Sequence, residues 1–253
     1  MSKMNLRPML RYTLRGSLKA ISVFSLVMLL VSICIPLMFV LTPPARDQIH
    51  FSAFFMSAAI FSLVSGIVGI REDLRMGIQH GIGRRSSFLS QLIAGLCSSL
   101  LLGILGQLLL LLGQALWNGS ETVFYTDLYQ IVYLQDAEAV LSLGQHLEAA
   151  LCTASLCLAT QAGGMLISLL FYRLNKFWKL VLGIGAPIFF CIVLPSLLSA
   201  LPSSSPLLQG LSAFGKWFGA AASSWILFFF GAALLALVLD WLLCRKAAIT
   251  AAK

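Results

Sequence analysis

The chain has 253 residues, 59% of them hydrophobic and only 10% charged, with a mean hydropathy of +0.94 and a formal net charge of +8. So few charges exclude an ordinary soluble domain, in which about a quarter of the residues are charged. The basic excess is not a nucleic-acid footprint either, because it gathers at the ends of long apolar runs and divides by side of a membrane.

Six apolar runs follow one another: Ile21–Leu41, Phe51–Ile70, Phe88–Trp117, Ala149–Tyr172, Leu180–Leu201 and Phe218–Leu239. Each reaches the roughly 20 residues that a helix rising about 1.5 Å per residue needs to cross hydrocarbon. Let the connections alternate between two sides. Lys3, Arg7, Arg11, Arg15, Lys19, Arg71, Arg75, Arg84, Arg85, Arg173, Lys176, Lys179, Arg245, Lys246 and Lys253 then share one side, and only Arg46 and Lys216 take the other. Lys and Arg mark the cytoplasmic side, so the asymmetry predicts six transmembrane helices with both termini inside. Of the acidic residues, only Glu72, Asp73 and Asp240 fall inside, leaving a basic skirt suited to anionic headgroups. The first run is too long for a cleavable signal and lacks a small-residue cleavage site, so no signal peptide is expected. Cys34, Cys97, Cys152, Cys157, Cys191 and Cys244 accompany the apolar runs without a Cys-x-x-Cys pair, and read as packing residues.

Ahead of the first run, Leu6, Leu10, Leu14 and Leu18 recur every four residues, with Arg7, Arg11, Arg15 and Lys19 in the same register. Residues 1–19 read as an interfacial helix among headgroups, or as a basic flank made helical by continuity with the span. In the cytoplasmic loop 71–87, Leu74, Ile78 and Ile82 lie four apart while Gly77, Gly81 and Gly83 interrupt any long helix. The pattern predicts a short helix with a turn, held against the inner membrane face, with Ser86 or Ser87 capping the third span. Small residues at four-residue spacing predict close helix packing: Ser62 with Gly66, Ser65 with Gly69, Gly95 with Ser99 and Gly103, and Ala159 with Gly163.

The outer loop 118–148 is acidic (Glu121, Asp127, Asp136, Glu138), holds no Lys or Arg, and places Tyr125, Tyr129 and Tyr133 four apart. These tyrosines read as an interfacial aromatic belt or as a substrate-contact surface. Residues 202–217, rich in Ser, Pro and Gly, read as a broken, partly re-entrant outer segment.

No catalytic or metal motif emerges. Gly210-Leu-Ser-Ala-Phe-Gly215-Lys216 imitates a nucleotide-binding loop, but Trp217 stands where magnesium needs Ser or Thr, and the segment lies outside. His50, His80 and His146 are scattered, and no serine occupies a Gly-x-Ser-x-Gly turn. Gln107, Gln114 and Gln161 are the sizeable polar residues deep in the runs and read as helix stitches. Asp240, near the inner end of the last run, is expected to pair with Arg245 or a neighbouring basic residue, and Glu148 sits at the outer mouth of the fourth run.

Taken whole, the pattern resembles the membrane (permease) subunit of bacterial type-2 ATP-binding-cassette (ABC) exporters. The stretch Gly77-Ile-Gln-His-Gly81-Ile-Gly-Arg84-Arg85-Ser-Ser-Phe88 is similar to the Gln-Asn-Gly-x-Ser-Arg-Lys loop of Gram-positive peptide and lantibiotic permeases, with His80 and Gly83 in place of Asn and Ser. The resemblance implies an all-α polytopic transmembrane domain over residues 1–253, working beside a second copy or a homologous permease. It also implies a separate cytoplasmic ABC ATPase that holds ATP and magnesium, with no cofactor or enzymatic centre in this chain. On that likeness Leu74, Ile78 and Ile82 would seat in an apolar cleft of the ATPase while Arg71, Arg75, Arg84 and Arg85 meet its acidic rim. Residues 202–217, with Phe214 and Trp217, would form an outer gate or a static interfacial anchor. The implied cargo is an amphipathic peptide, toxin or antimicrobial, or a lipid-like molecule, crossing the bacterial plasma membrane. A non-transporting immunity or scaffold protein is the alternative.

The topology has a direct test. In a background without native cysteines, Gly83→Cys should stay shielded from an impermeant thiol reagent in intact cells, and Asp136→Cys should react. Labelling of Gly83→Cys from outside would invert the assignment.

Overall fold

The computed structural model describes residues 6–41, 49–52, 54–117, 123–136, 140–185, 188–200 and 205–245. Its long helices are α1 (Leu6–Leu41), α2 (Phe54–Gln79), α3 (Arg84–Leu116) and α4 (Leu143–Arg173). The chain continues through the short α5 (Lys176–Leu180) and α6 (Leu194–Ala200) to α7 (Pro206–Ala220) and α8 (Ala222–Arg245). Helices α1, α2, α3, α4 and α8 are long and apolar enough to cross a membrane. The architecture is that of a helical multi-pass membrane protein.

The fifth expected span, Leu180–Leu201, departs from the sequence reading. It is not one regular helix: π-helical turns at Val181–Gly185 and Phe189–Val193 separate α5 from α6, and residues 186 and 187 lie outside the described residues. Gly183 and Gly185 weaken the helix and Pro195 withholds a donor, so the hydrogen-bond register loosens here. Between Arg173 and Phe218 the chain changes ends of the bundle. Arg173 Nη2 donates to the Leu243 carbonyl at 2.7 Å beside the end of α8, whereas the Phe218 carbonyl accepts from Tyr133 Oη at 3.3 Å at the opposite end. We call these the basic end and the acidic end.

Helix α1 runs for 36 residues without a break, so the basic leucine-rich segment and the first span are one helix. Its packed face is not the leucine row. Met9, Thr13, Ile21 and Met28 are buried, Leu10 and Leu14 half-buried, and Leu18 exposed.

Helix α4 is central and packs against α2, α3 and α8. Glycines set these contacts. A Cβ at Gly66 would strike the Gln161 carbonyl, one at Gly103 the Ala150 carbonyl, and one at Gly164 the Leu63 carbonyl. The ridge expected through Gly163 is turned by one residue: nothing approaches Gly163, and Gly164 makes the contact. Without a hydrophobic gain between helices in lipid, such close backbone approach is a main source of association. Beside its apolar core clusters the bundle buries a set of polar residues, and its outer surface is apolar. Ser62, Ser87, Ser90, Gln91, Ser98, Gln107 and Gln161 are buried, and Ser98 Oγ donates to Gln161 Oε1 at 3.1 Å. Val23, Leu26, Ile104, Leu108, Leu235 and Val238 are exposed, as a lipid-facing surface requires.

At the acidic end two short strands, β1 (Ile49–Phe51) and β2 (Val123–Tyr125), pair in parallel, Ile49 with Val123 and Phe51 with Tyr125. They tie the α1–α2 connection to the segment that follows α3.

Replacing Gly164 by Ala should lower thermal stability in detergent by about 1–3 kcal/mol, because two backbones must part. Gly163→Ala should be neutral or stabilising by up to about 1 kcal/mol, since it only improves helix propensity. Equal effects at the two positions would contradict the packing described.

Candidate functional site

The basic end carries the residues assigned to coupling. Helix α2 continues through Arg71 to Gln79 and ends in a tight turn, so the separate short helix expected in residues 71–87 is absent. Gly81 takes φ 69°, the left-handed conformation that glycine adopts without strain. The Ile82 N–H then reaches back to the Gly77 carbonyl at 2.6 Å, and His80 N–H to Met76 at 3.1 Å, closing the helix end. Helix α3 follows at once: its N-cap is Gly83, and Ser86 and Ser87, the expected caps, are buried inside its first turn. A Cβ at Gly77 would meet Ser87 Oγ, so the hairpin is closely packed at its root.

The turn divides the predicted coupling residues. Arg71, Arg75, Arg84 and Arg85 are all exposed around it. Leu74 is half-buried and packs against the core cluster of Ile70, Phe88, Met165, Leu169 and Cys244. Ile82 is half-buried, and the side chain of Ile78 lies outside the described residues. Extension of α2 explains the change, because a helix continuing from the bundle keeps turning its apolar face inward.

Two carboxylates are buried near this end. Asp73 is 5% exposed, and its Oδ2 accepts from Thr13 Oγ1 at 2.9 Å. Asp240 is fully buried beside Trp241, whose ring lies 5.3 Å from that of Phe88. Neither Asp240 oxygen has a hydrogen-bond partner among the described residues, and Arg245, its expected partner, is exposed.

The expected break in residues 202–217 does not occur where the segment is described, residues 202–204 lying outside the described residues. Pro206–Ala220 is a continuous helix that contains Gly210, Gly215 and Lys216, so neither a broken segment nor a phosphate-cradling loop forms there. Ser205 caps it by accepting from Leu208 N–H at 3.4 Å, and Pro206 stands at the first helical position, where its missing N–H is harmless. Phe214 and Trp217 are exposed, their rings 5.8 Å apart, and Phe214 also meets Phe228 at 5.4 Å.

The acidic end holds a polar centre that sequence reasoning did not assemble. After β2 the chain makes a π-helical turn, Gln130–Leu134, which ends at Gln135 in the left-handed region, φ 51°. Residues 123–136 cap the bundle. Tyr125 Oη donates to the Ser32 carbonyl of α1, and Gln114 Nε2 of α3 to the Tyr125 carbonyl at 3.3 Å. Tyr129 Oη donates to Glu148 Oε2 at 2.6 Å. Tyr125 and Tyr129 are thus buried and bonded inward, so these two do not form a free outer surface, while Tyr133 is half-buried.

Within the cap, Gln107 Nε2 donates to Asp127 Oδ2 at 2.7 Å while its Oε1 lies 2.8 Å from His146 Nδ1. Leu128 N–H adds a bond to Asp127 Oδ1 at 2.8 Å, and the Asp127 N–H donates to Gln130 Oε1 at 2.7 Å. Burial pushes the Asp127 carboxyl above its ordinary range, partly offset by the Gln107 and Leu128 bonds and by His146. Burial and then the Glu148 carboxylate push the Tyr129 phenol up to about 12. One sequence signal was available: Ser142-Leu-Gly-Gln145 is a capping box, realised with Gln145 Oε1 2.8 Å from Ser142 N. It starts α4 at Leu143 and puts His146 and Glu148 in its first two turns. Asp127 carried no local signal, since its partners come from α3.

Comparisons with family models, with curated proteins and with solved structures returned no match.

The Tyr129–Glu148 contact carries a pH prediction. A phenol held neutral in the fold contributes stability in full below its ordinary value of 10 and loses it as pH rises through about 12. In an ultraviolet titration, Tyr129→Phe should remove the latest-ionising tyrosine, and Glu148→Gln should move it to lower pH. An unchanged late transition in both variants would remove the contact from consideration.

Proposed function

We propose that the chain is the membrane subunit of an ATP-driven exporter of the type-2 ABC kind, in a bacterial plasma membrane. It would work with a separate cytoplasmic ATPase and a second permease copy, moving an amphipathic peptide, toxin or antimicrobial, or a lipid-like molecule. The observation that carries this reading is the α2–α3 hairpin, where Arg84 and Arg85 stand exposed just past the Gly81 turn and Arg71 and Arg75 are exposed on the last turns of α2 before it. Such a cluster suits the acidic rim of a cytoplasmic partner. Because the turn joins two long helices with no intervening element, a push on it would pass along both α2 and α3 into the bundle. Contact would rest mainly on the exposed arginines, since Leu74 is half-buried against a core cluster. On α7, Leu207, Leu211, Phe214 and Trp217 present an exposed apolar row, which suits cargo arriving from the bilayer.

The test is co-purification with the ATPase and ATP hydrolysis stimulated by candidate peptides. Arg84→Glu with Arg85→Glu should weaken association about tenfold or more and abolish stimulation, since attraction becomes repulsion. The packed root of the hairpin should keep the variant folded. Wild-type association and stimulation in this variant would overturn the assignment of the hairpin.

A further inference from the structure

We propose that the cap at the acidic end is the latch of a proline hinge in α1. Tyr125 supplies from outside the hydrogen bond that Pro36 denies to the Ser32 carbonyl, so α1 is fixed at this level only while the cap is docked. The latch is independent of the transport reading.

The hinge lies in α1. Pro36 stands inside the helix, with its side chain fully buried. A proline has no N–H to return to the carbonyl four residues back, here that of Ser32, and its ring crowds that carbonyl. In hydrocarbon a carbonyl released in this way needs a substitute donor, and a proline is where a long helix bends. Ser32 does not supply the donor itself. Its hydroxyl is engaged one turn back, donating to the Met28 carbonyl at 2.8 Å.

The latch comes from the cap, where Tyr125 Oη donates to the Ser32 carbonyl. A Cβ at Gly113 would strike the Tyr125 ring, so the ring lies against α3 in the space that a glycine leaves. Gln114 Nε2 donates to the Tyr125 carbonyl at 3.3 Å and fixes the backbone behind the ring. Tyr125 also pairs with Phe51 in the β1–β2 ladder, and β1 lies in the connection that leaves α1. Burial pushes the phenol above its ordinary value, offset only in part by the Trp117 side chain, so the hydroxyl keeps the proton that it donates.

The side-chain bond and the strand pairing thus share one residue. Lifting β2 away would break both together and return the Ser32 carbonyl to its unpaired state. With the cap seated, bending α1 at Pro36 sacrifices a buried hydrogen bond; with the cap displaced, it does not.

The experiment uses the full chain in detergent, without its native cysteines, carrying spin labels at Leu37→Cys, just past the proline, and at Leu147→Cys in α4. The distance distribution is recorded beside thermal unfolding. Tyr125→Phe keeps the ring on Gly113 but removes the donor. It should broaden the distribution and lower the midpoint temperature by roughly 3–8 °C. Pro36→Ala restores the N–H that Ser32 lacks. Adding Tyr125→Phe to Pro36→Ala should therefore leave the distribution narrow and cost less than about half as many degrees. Any loss that arises at Trp117 is common to both backgrounds. Equal broadening and equal loss in the two backgrounds would make Tyr125 ordinary packing and overturn the proposal. An unbroadened distribution in Tyr125→Phe alone would overturn it as well. Should Pro36→Ala fail to fold, the Tyr125→Phe distribution decides by itself. Should Tyr125→Phe fail to fold, a folded double variant supports the latch and an unfolded one refutes it.

Discussion

In hydrocarbon, a helix that meets its backbone needs internally gains little from hiding apolar side chains against another, because lipid is as apolar as leucine. What remains is how near two backbones can come. The structure answers at α4, where Gly66, Gly103 and Gly164 let the carbonyls of Gln161, Ala150 and Leu63 approach without an intervening side chain. Around these close approaches the small or polar Ser62, Ser98 and Gln161 are buried, while Ile70, Leu102 and Met165 fill the apolar core clusters. The exposed surface is rich in leucine, isoleucine and valine.

This dependence on close backbone approach governs what could be read from the chain. Length and hydropathy locate crossing helices well, because each crossing is a local property of about 20 residues. The stretch after Lys176 escaped this logic: the count of apolar residues is insensitive to Gly183, Gly185 and Pro195, which loosen the hydrogen-bond register. Glycine does not break the helix in either segment where its frequency suggests it should. In residues 71–87 it suggested a free-standing short helix, but only Gly81 demands an unusual backbone, and α2 simply runs on to it. In residues 202–217 it suggested a break, yet helix α7 absorbs Gly210 and Gly215 behind the start signal of Ser205 and Pro206. Glycine in a helix is not a veto but a cost of about 1 kcal/mol per residue that context can cover.

Polar residues were harder still, because their meaning is relational. Asp240 looked like half of an ion pair since Arg245 is near in sequence, but five residues along a helix turn them to different faces, one buried and one exposed. Asp127 looked like one more charge on an acidic loop until Gln107, twenty residues earlier, reached it from α3. The arginines were legible because exposure at a helix end is the default for a cation. A carboxylate drawn into the cap needed the tertiary structure to reveal it.

Helix α1 has a mechanical consequence. Thr13 fastens it to Asp73 beside the α2–α3 hairpin, and the Ser32 carbonyl receives Tyr125 from the cap. The two anchor points are nineteen residues apart in one unbroken helix, about 28 Å along its axis at 1.5 Å per residue. A helix pinned at both ends behaves as a strut. It cannot slide or roll without loosening one fastening, so the positions of the two ends of the bundle are held to a common gauge. Any rearrangement at the basic end must either carry the cap with it or first detach Thr13.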